Sequence, residues 1–246
     1  MQKHAVRRTR EAVRNKARGI IVDSWQSQAN LSFFLVLEVL IAFVLPALGF
    51  GKHDTRLYAD LGFSILLLSG IAIAWGRPKL FAVAAVVGGI ALIVRWLSFG
   101  IRSFRAELYD DGATLLAIAV IALVLLMQIF RSGRVTHVRI QGAIAVYLLF
   151  GVAWAHGYHV VNLLHPGSFT ETGGEMTVPS DWIYFSFVTL TTVGYGDITP
   201  VSTLARALAI GEALVGQLYL AIMVARLVAM ELVFWQQKAM DNSQRE

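Results

Sequence analysis

Apolar residues in this chain come in long blocks separated by short polar connections, not at the three-and-four spacing of an amphipathic surface helix. Six blocks stand out, at 31–50, 58–75, 80–99, 113–130, 140–164 and 204–235. Each supplies close to the roughly 20 mostly apolar residues that carry a helix across a hydrocarbon core about 30 Å thick. Backbone groups in lipid must pair within their own segment, so the blocks are read as helices. The last block is longer than a bilayer requires at about 1.5 Å per residue, and its final turns are expected to project beyond it. A further apolar stretch, 181–190, is too short to span and suits a half-helix that re-enters the membrane, with Ser180 or Asp181 as its N-cap. The pattern predicts an all-α membrane protein with six transmembrane helices and a re-entrant half-helix and loop between helices five and six.

Composition agrees: of 246 residues, 57% are hydrophobic and 15% charged. The net charge of +5 matters less than its distribution. With the N-terminus inside, the inner segments hold fourteen basic residues (Lys3, Arg7, Arg8, Arg10, Arg14, Lys16, Arg18, Arg77, Lys79, Arg131, Arg134, Arg139, Lys238 and Arg245), while the outer ones hold Lys52, Arg56, Arg102 and Arg105. Basic residues accumulate on the cytoplasmic side, so both termini are expected there and the Gly-rich segment 165–181 outside. No cleavable signal peptide is expected, because polar or mixed sequence precedes a first block long enough to span. The basic N-terminus reads as an orientation signal or as an amphipathic helix on anionic lipid headgroups, the former being the simpler. The chain has no Cys, which excludes disulfides and Cys-based metal sites. No nucleophile, base and orienting group fall together, so no enzyme and no cofactor are expected.

After the half-helix come Thr191, Thr192, Val193, Gly194, Tyr195, Gly196 and Asp197. Non-helical backbone is tolerated at membrane depth only where it lines a watery path or is buried in protein. Gly194 and Gly196, alternating with Val193 and Tyr195, allow backbone angles that L-residues avoid, so consecutive carbonyls can face one axis. The negative end of the half-helix dipole, at Leu190, favours a cation nearby.

Residues 189–197, TLTTVGYGD, resemble the signature of the potassium-channel superfamily, and the resemblance extends over about 145–228. It implies a tetrameric pore in which Thr192, Val193, Gly194, Tyr195 and Gly196 form the selectivity filter. The Thr192 hydroxyl and the carbonyls of Thr192, Val193, Gly194 and Tyr195 then replace the hydration shell of K+, the mechanism attributed to potassium channels bearing this same pentapeptide. The resemblance further implies that Asp197 accepts a hydrogen bond from an aromatic residue of the pore helix. Tyr184 stands at that position, where Trp is common, and Val188 stands where some simple two-helix channels carry a second, acidic brace. Thr189 and Glu212 are added as filter-supporting candidates. An ionisable residue at the depth of Glu212 invites a functional reading, with a structural bond near Thr189 as the simpler one.

In the sixth helix, Gly216 matches the family's hinge position. Bending and close packing against the pore helix are both open for it, and packing is favoured for Gly211. Gln217, Leu220, Val224 and Val228 follow Gly216 on one helical face, which by resemblance lines the cavity, with the last three as a hydrophobic constriction.

The fourth block carries no Arg, Lys, Asp or Glu, so it has no gating charge of its own. Glu38 and Arg95 lie at different depths, about 12 and 22 Å from the inner face, so Arg95 is expected to meet Asp60, Asp110 or Asp111 instead. His156, His159 and His165 gather at the outer end of the fifth helix as interface residues, a pH sensor or a metal site, the first being the commoner.

The chain is thus divided into a basic cytoplasmic segment (1–30), a four-helix transmembrane domain (31–130), a pore domain (131–235) and a cytoplasmic tail (236–246). The expected activity is passive, potassium-selective conduction by four copies in a plasma membrane, in keeping with a prokaryotic inner membrane. The alternatives are a regulatory, non-conducting subunit or a weakly selective cation channel. Membrane lipid is an expected partner and nucleic acid is not.

Overall fold

The computed structural model describes residues 31–44, 52–74, 77–99, 101, 103–130, 136–171 and 179–243. The basic segment 1–30, with its orientation and lipid readings, lies outside them, as do Arg102, Arg131 and Arg134. Among the described residues the regular secondary structure is helical except for one pair of three-residue strands. Helix α1 spans Leu31–Val44, its last turn a π-helix from Leu40 to Val44, and α2 spans Lys52–Ile73. Helices α3 (Pro78–Ser98), α4 (Phe104–Ile129) and α5 (His137–Leu164) follow. Then come β1 (Phe169–Glu171), α6 (Pro179–Leu190), β2 (Ile198–Pro200) and α7 (Thr203–Ser243). Among the described residues α3, α4, α5 and α7 are long and apolar enough to cross a membrane, and Leu31–Val44 and Leu57–Ile73 are shorter apolar helices.

Several boundaries differ from the expected ones. The fourth helix begins at Phe104, not at 113, because the Ser103 hydroxyl accepts from the Ala106 N–H and caps it, so its acidic first turns are helix and not connection. Ser180 and Asp181 lie inside the first turn of α6 and are not its N-cap; the helix starts at Pro179, a residue whose fixed φ and missing N–H suit that place. Helix α7 continues through 236–243.

Two polar networks tie α2, α3, α4 and α5 together. Arg95 on α3, 4% exposed, lies 3.3 Å from Asp110 and 3.6 Å from Asp60, donates to Thr114 Oγ1 at 3.2 Å, and stacks over Phe63 with its Cζ 4.6 Å from the ring centre. A charge this buried is tolerable only with such partners. Asp111, one residue further along α4, instead takes both imidazoles of α5, His156 Nδ1 and His159 Nδ1, at 2.7 Å each. His159 also packs against Trp182 of α6, so the first turns of α4 and α6 and the C-terminal part of α5 are joined by side chains. His165 stays apart, its carbonyl accepting from the Ser168 hydroxyl at 2.7 Å. Glu38 on α1 is buried and its carboxyl oxygens have no hydrogen-bond partner among the described residues. One core of Leu, Ile, Val and Phe joins α1, α2 and α4 to α5, and a second, aromatic core seats α6 between α5 and α7.

Candidate functional site

Helix α6 ends by folding its own chain back over itself. The Thr191 N–H still donates to Phe187 O at 3.0 Å, but Thr192 N–H turns to Thr189 O at 2.9 Å. The N–H groups of Val193 and Gly194 then both reach Val188 O, at 3.0 and 3.3 Å. Val188 and Thr189 therefore act here through backbone carbonyls, which no side-chain reading of the sequence would assign. Beyond this turn φ is +59° at Thr192, +59° at Gly194 and +80° at Gly196, while Val193 and Tyr195 stay out of the left-handed region. Left-handed values at every second residue flip alternate peptide planes and let successive carbonyls share one side of the strand. Thr192 was not foreseen: a β-branched residue pays about 1–2 kcal/mol for this conformation. The signal was its place two residues before Gly194, in phase with the glycines.

Downstream, Tyr184 Oη donates to Asp197 Oδ2 at 2.6 Å, and Asp197 Oδ1 accepts from the Ile198 N–H at 3.0 Å. Asp197 leads directly into β2, which pairs antiparallel with β1 in the register Phe169–Pro200, Thr170–Thr199 and Glu171–Ile198. The loop is thus anchored at both ends, to α6 before it and to α6 and β1 after it. The Tyr184 hydroxyl holds the Asp197 carboxyl below its ordinary value. A depressed carboxylate keeps its bond above that lowered value and loses it only as pH falls through it, below the usual aspartate value of about 4. Any process limited by this brace is therefore expected to be flat from about pH 8 to pH 5, changing only below about pH 4.

Behind α6 the buried carboxyl of Glu212 on α7 joins three helices. One oxygen accepts from Tyr158 Oη of α5, and the other lies 2.5 Å from Ser186 Oγ of α6, which also donates to Gly151 O of α5 at 2.7 Å. The partner on α6 is Ser186, one turn before the expected neighbourhood of Thr189. At Gly151 a Cβ would meet Phe187 ring carbons at 2.5–2.9 Å, so the missing side chain is the seat of that ring.

On α7, a Cβ at Gly216 would run into the carbonyl oxygen of Leu190, the last residue of α6, which supports the packing role. At Gly211 the nearest atom is Trp154 Cη2 at 3.6 Å, an ordinary contact, so packing does not demand a glycine there. Gln217 Nε2 donates to Thr192 Oγ1 at 3.3 Å, and Leu220, Val224 and Val228 continue the exposed face below it. The part of α7 beyond Gln217 is tied back by contacts the sequence did not announce. Tyr219 Oη donates to Ala143 O at 2.8 Å. Arg226 donates to Phe130 O at 2.9 Å and lies over the Phe130 ring at 4.2 Å, capping the C-terminal end of α4.

Residues 143–231 match the family model described as ion channel, which takes in the half-helix, the loop and most of α7. Protein LctB of Geobacillus stearothermophilus is 37% identical over 81 residues, 33% of this chain and 58% of that protein. Two pore potassium channel c of Oryza sativa subsp. japonica is 39% identical over 64 residues, 26% of this chain and 14% of that protein. This segment is similar to ion channels, potassium channels among them. Two-pore potassium channel 3 of Arabidopsis thaliana adds 33% identity over 105 residues, 42% of this chain and 21% of that protein. In each case the match spans less than two thirds of the relative's own length. No solved structure is significantly similar. These matches point to a multi-pass membrane channel and not to an enzyme.

Tyr184 is linked to Asp197 through its hydroxyl. Tyr184→Phe is expected to leave the fold intact and to speed the decay of current under maintained activation several-fold, because the acceptor keeps its place while the donor is lost. Macroscopic currents from wild type and mutant in the same bilayer decide it.

Proposed function

We propose that this chain is one subunit of a homotetrameric, potassium-selective channel that conducts passively. The observation that carries the reading is the left-handed backbone at Thr192, Gly194 and Gly196, placed directly after the C-terminal end of a half-length helix. In four copies around an axis, the carbonyls of Thr192, Val193, Gly194 and Tyr195, with the Thr192 hydroxyl innermost, offer stacked oxygen rings for a dehydrated cation. Asp197, Tyr184, Val188, Thr189 and Glu212 hold the loop in place from outside the ion path. Gly216 and Gln217 lie at its inner mouth, and Leu220, Val224 and Val228 line the cavity below.

One chain supplies one loop, and its inner helix leaves the apolar row Ile210, Leu214, Leu218 and Ile222 exposed at 56–63%. Such a face needs neighbouring copies or lipid, and both are available to a tetramer in a plasma membrane. The four-helix part (31–130) has the place of a voltage sensor, but its fourth helix has no basic residue between 113 and 130, so conventional voltage gating is not part of the proposal. Both termini are assigned to the cytoplasm from the basic residues of the connections.

The test is the reversal potential of purified protein in planar bilayers with potassium on one side and sodium on the other. A value near the potassium equilibrium potential is expected. A reversal near zero would make the pore weakly selective, and silence under all voltages and pH values would favour a regulatory subunit.

A further inference from the structure

The side chain of Gln217 enters the ion path from the inner helix, and its reach depends on a neighbour. Because Gly216 has no Cβ, α7 lies directly against the Leu190 carbonyl at the end of α6. That approach brings the next residue's amide to Thr192 Oγ1 at 3.3 Å. Thr192 is itself held in an uncommon state, with φ at +59° and its hydroxyl hydrogen donated to Thr191 O at 2.7 Å. A threonine hydroxyl has one hydrogen and two lone pairs. Here the hydrogen goes to Thr191 and one lone pair receives the Gln217 amide, which leaves one lone pair for an ion.

We propose that Gln217 is a positioning residue for the innermost ion site: its amide fixes the direction of the Thr192 hydroxyl oxygen and sets how strongly that ring holds a cation. The inference rests on the reading of residues 192–196 as a potassium filter. It adds that the inner helix contributes to the site by a directed hydrogen bond and not only by forming a wall. Any displacement of α7 at this level also changes the innermost site, because the amide donor moves with the helix.

A cation approaching from the cavity meets the Thr192 ring first. Barium is close to potassium in size with twice the charge, so its affinity from the inner side reports the field of that ring. The experiment compares block by internal barium in the full-length tetramer for wild type, Gln217→Met and Gln217→Asn. Met keeps the volume and removes the donor, whereas Asn keeps a polar amide but is one methylene too short to reach. If the bond to Thr192 sets the site, both substitutions shift the internal barium dissociation constant by about fivefold, the scale of one neutral hydrogen bond. External barium block and the potassium-to-sodium reversal potential stay near wild type.

If Gln217→Asn behaves as wild type and only Gln217→Met shifts, cavity polarity is the cause and the proposal is overturned; no shift in either variant overturns it as well. Should Gln217→Met fail to assemble by size exclusion, Gln217→Asn alone decides between the same outcomes. A wild-type protein that carries no potassium current at all counts against the channel reading itself. In that case equilibrium titration of barium into the same three proteins still reads the site.

Discussion

On the proposed reading as a tetrameric channel, Glu212→Leu is expected to impair assembly and potassium current together. The carboxyl has no exposure and is the common partner of Tyr158 on α5 and Ser186 on α6. Leucine fills a similar volume but leaves the Tyr158 hydroxyl without its acceptor in a dry interior, while Ser186 keeps Gly151 O, and such an unsatisfied group costs about 1–3 kcal/mol. That loss in each subunit is a sizeable part of the roughly 5–15 kcal/mol that holds a domain folded. It also falls where α5, α6 and α7 meet, so the damage includes the seating of α6 as well as overall stability.

Glu212→Gln separates shape and hydrogen bonding from charge. The Ser186 oxygen has one hydrogen and two oxygen neighbours, Gly151 O and Glu212 Oε1, so a donor on residue 212 completes the arrangement. Glutamine supplies that donor and keeps an acceptor for Tyr158, and the variant is expected to assemble and conduct close to wild type. Size exclusion in detergent and current in bilayers read both variants. A Glu212→Leu protein that assembles and conducts normally would remove the three-helix clamp from the account of the filter's support.

The two kinds of information in this chain were unequally legible. Block length announces helices because lipid leaves the backbone no alternative, and the long apolar blocks of α3, α4, α5 and α7 appear close to their expected places. Boundaries moved where polar residues continue a helix, as at Glu107, Asp110 and Asp111, since a block of hydropathy ends before the helix does. The glycines of the loop were readable because only glycine takes φ above zero freely, whereas Thr192 at +59° was hidden by its side chain. Contacts between helices were the least accessible. Nothing local in the sequence says that Glu212 meets Ser186 and Tyr158, that Asp111 collects two imidazoles, or that Arg226 caps the end of α4. These depend on the rotation of each helix about its axis, which packing decides and a nearly uniform apolar sequence does not encode. The β1–β2 pair is hidden for the opposite reason, three residues being too few to show a period.

Gly216→Ala is the second large effect, and its sign decides what the glycine is for. Two terms oppose each other. In a helix interior alanine is favoured over glycine by about 1 kcal/mol, so a glycine kept only for bending would give a more stable protein on replacement. Close packing predicts the reverse: the new Cβ meets the Leu190 carbonyl oxygen and also lies 2.9 Å from Leu190 Cδ1. The obstructing group is backbone at the end of α6, bound to the turn that starts the loop, so it cannot swing aside as a surface side chain would. Overpacking of this kind costs about 1–3 kcal/mol, and because relief requires α7 and α6 to separate, the upper end is expected. The net result is a lower melting temperature, with current lost or its potassium-to-sodium selectivity weakened on the proposed channel reading, since separation also displaces the end of α6 that carries the loop. Gly211→Ala on the same helix is the matched control: its Cβ finds Trp154 at an ordinary 3.6 Å, so the propensity term stands alone and the melting temperature is expected to rise. Opposite shifts for two glycine-to-alanine changes five residues apart would separate packing from flexibility in one experiment, whereas a rise at both positions would favour the bending role for Gly216.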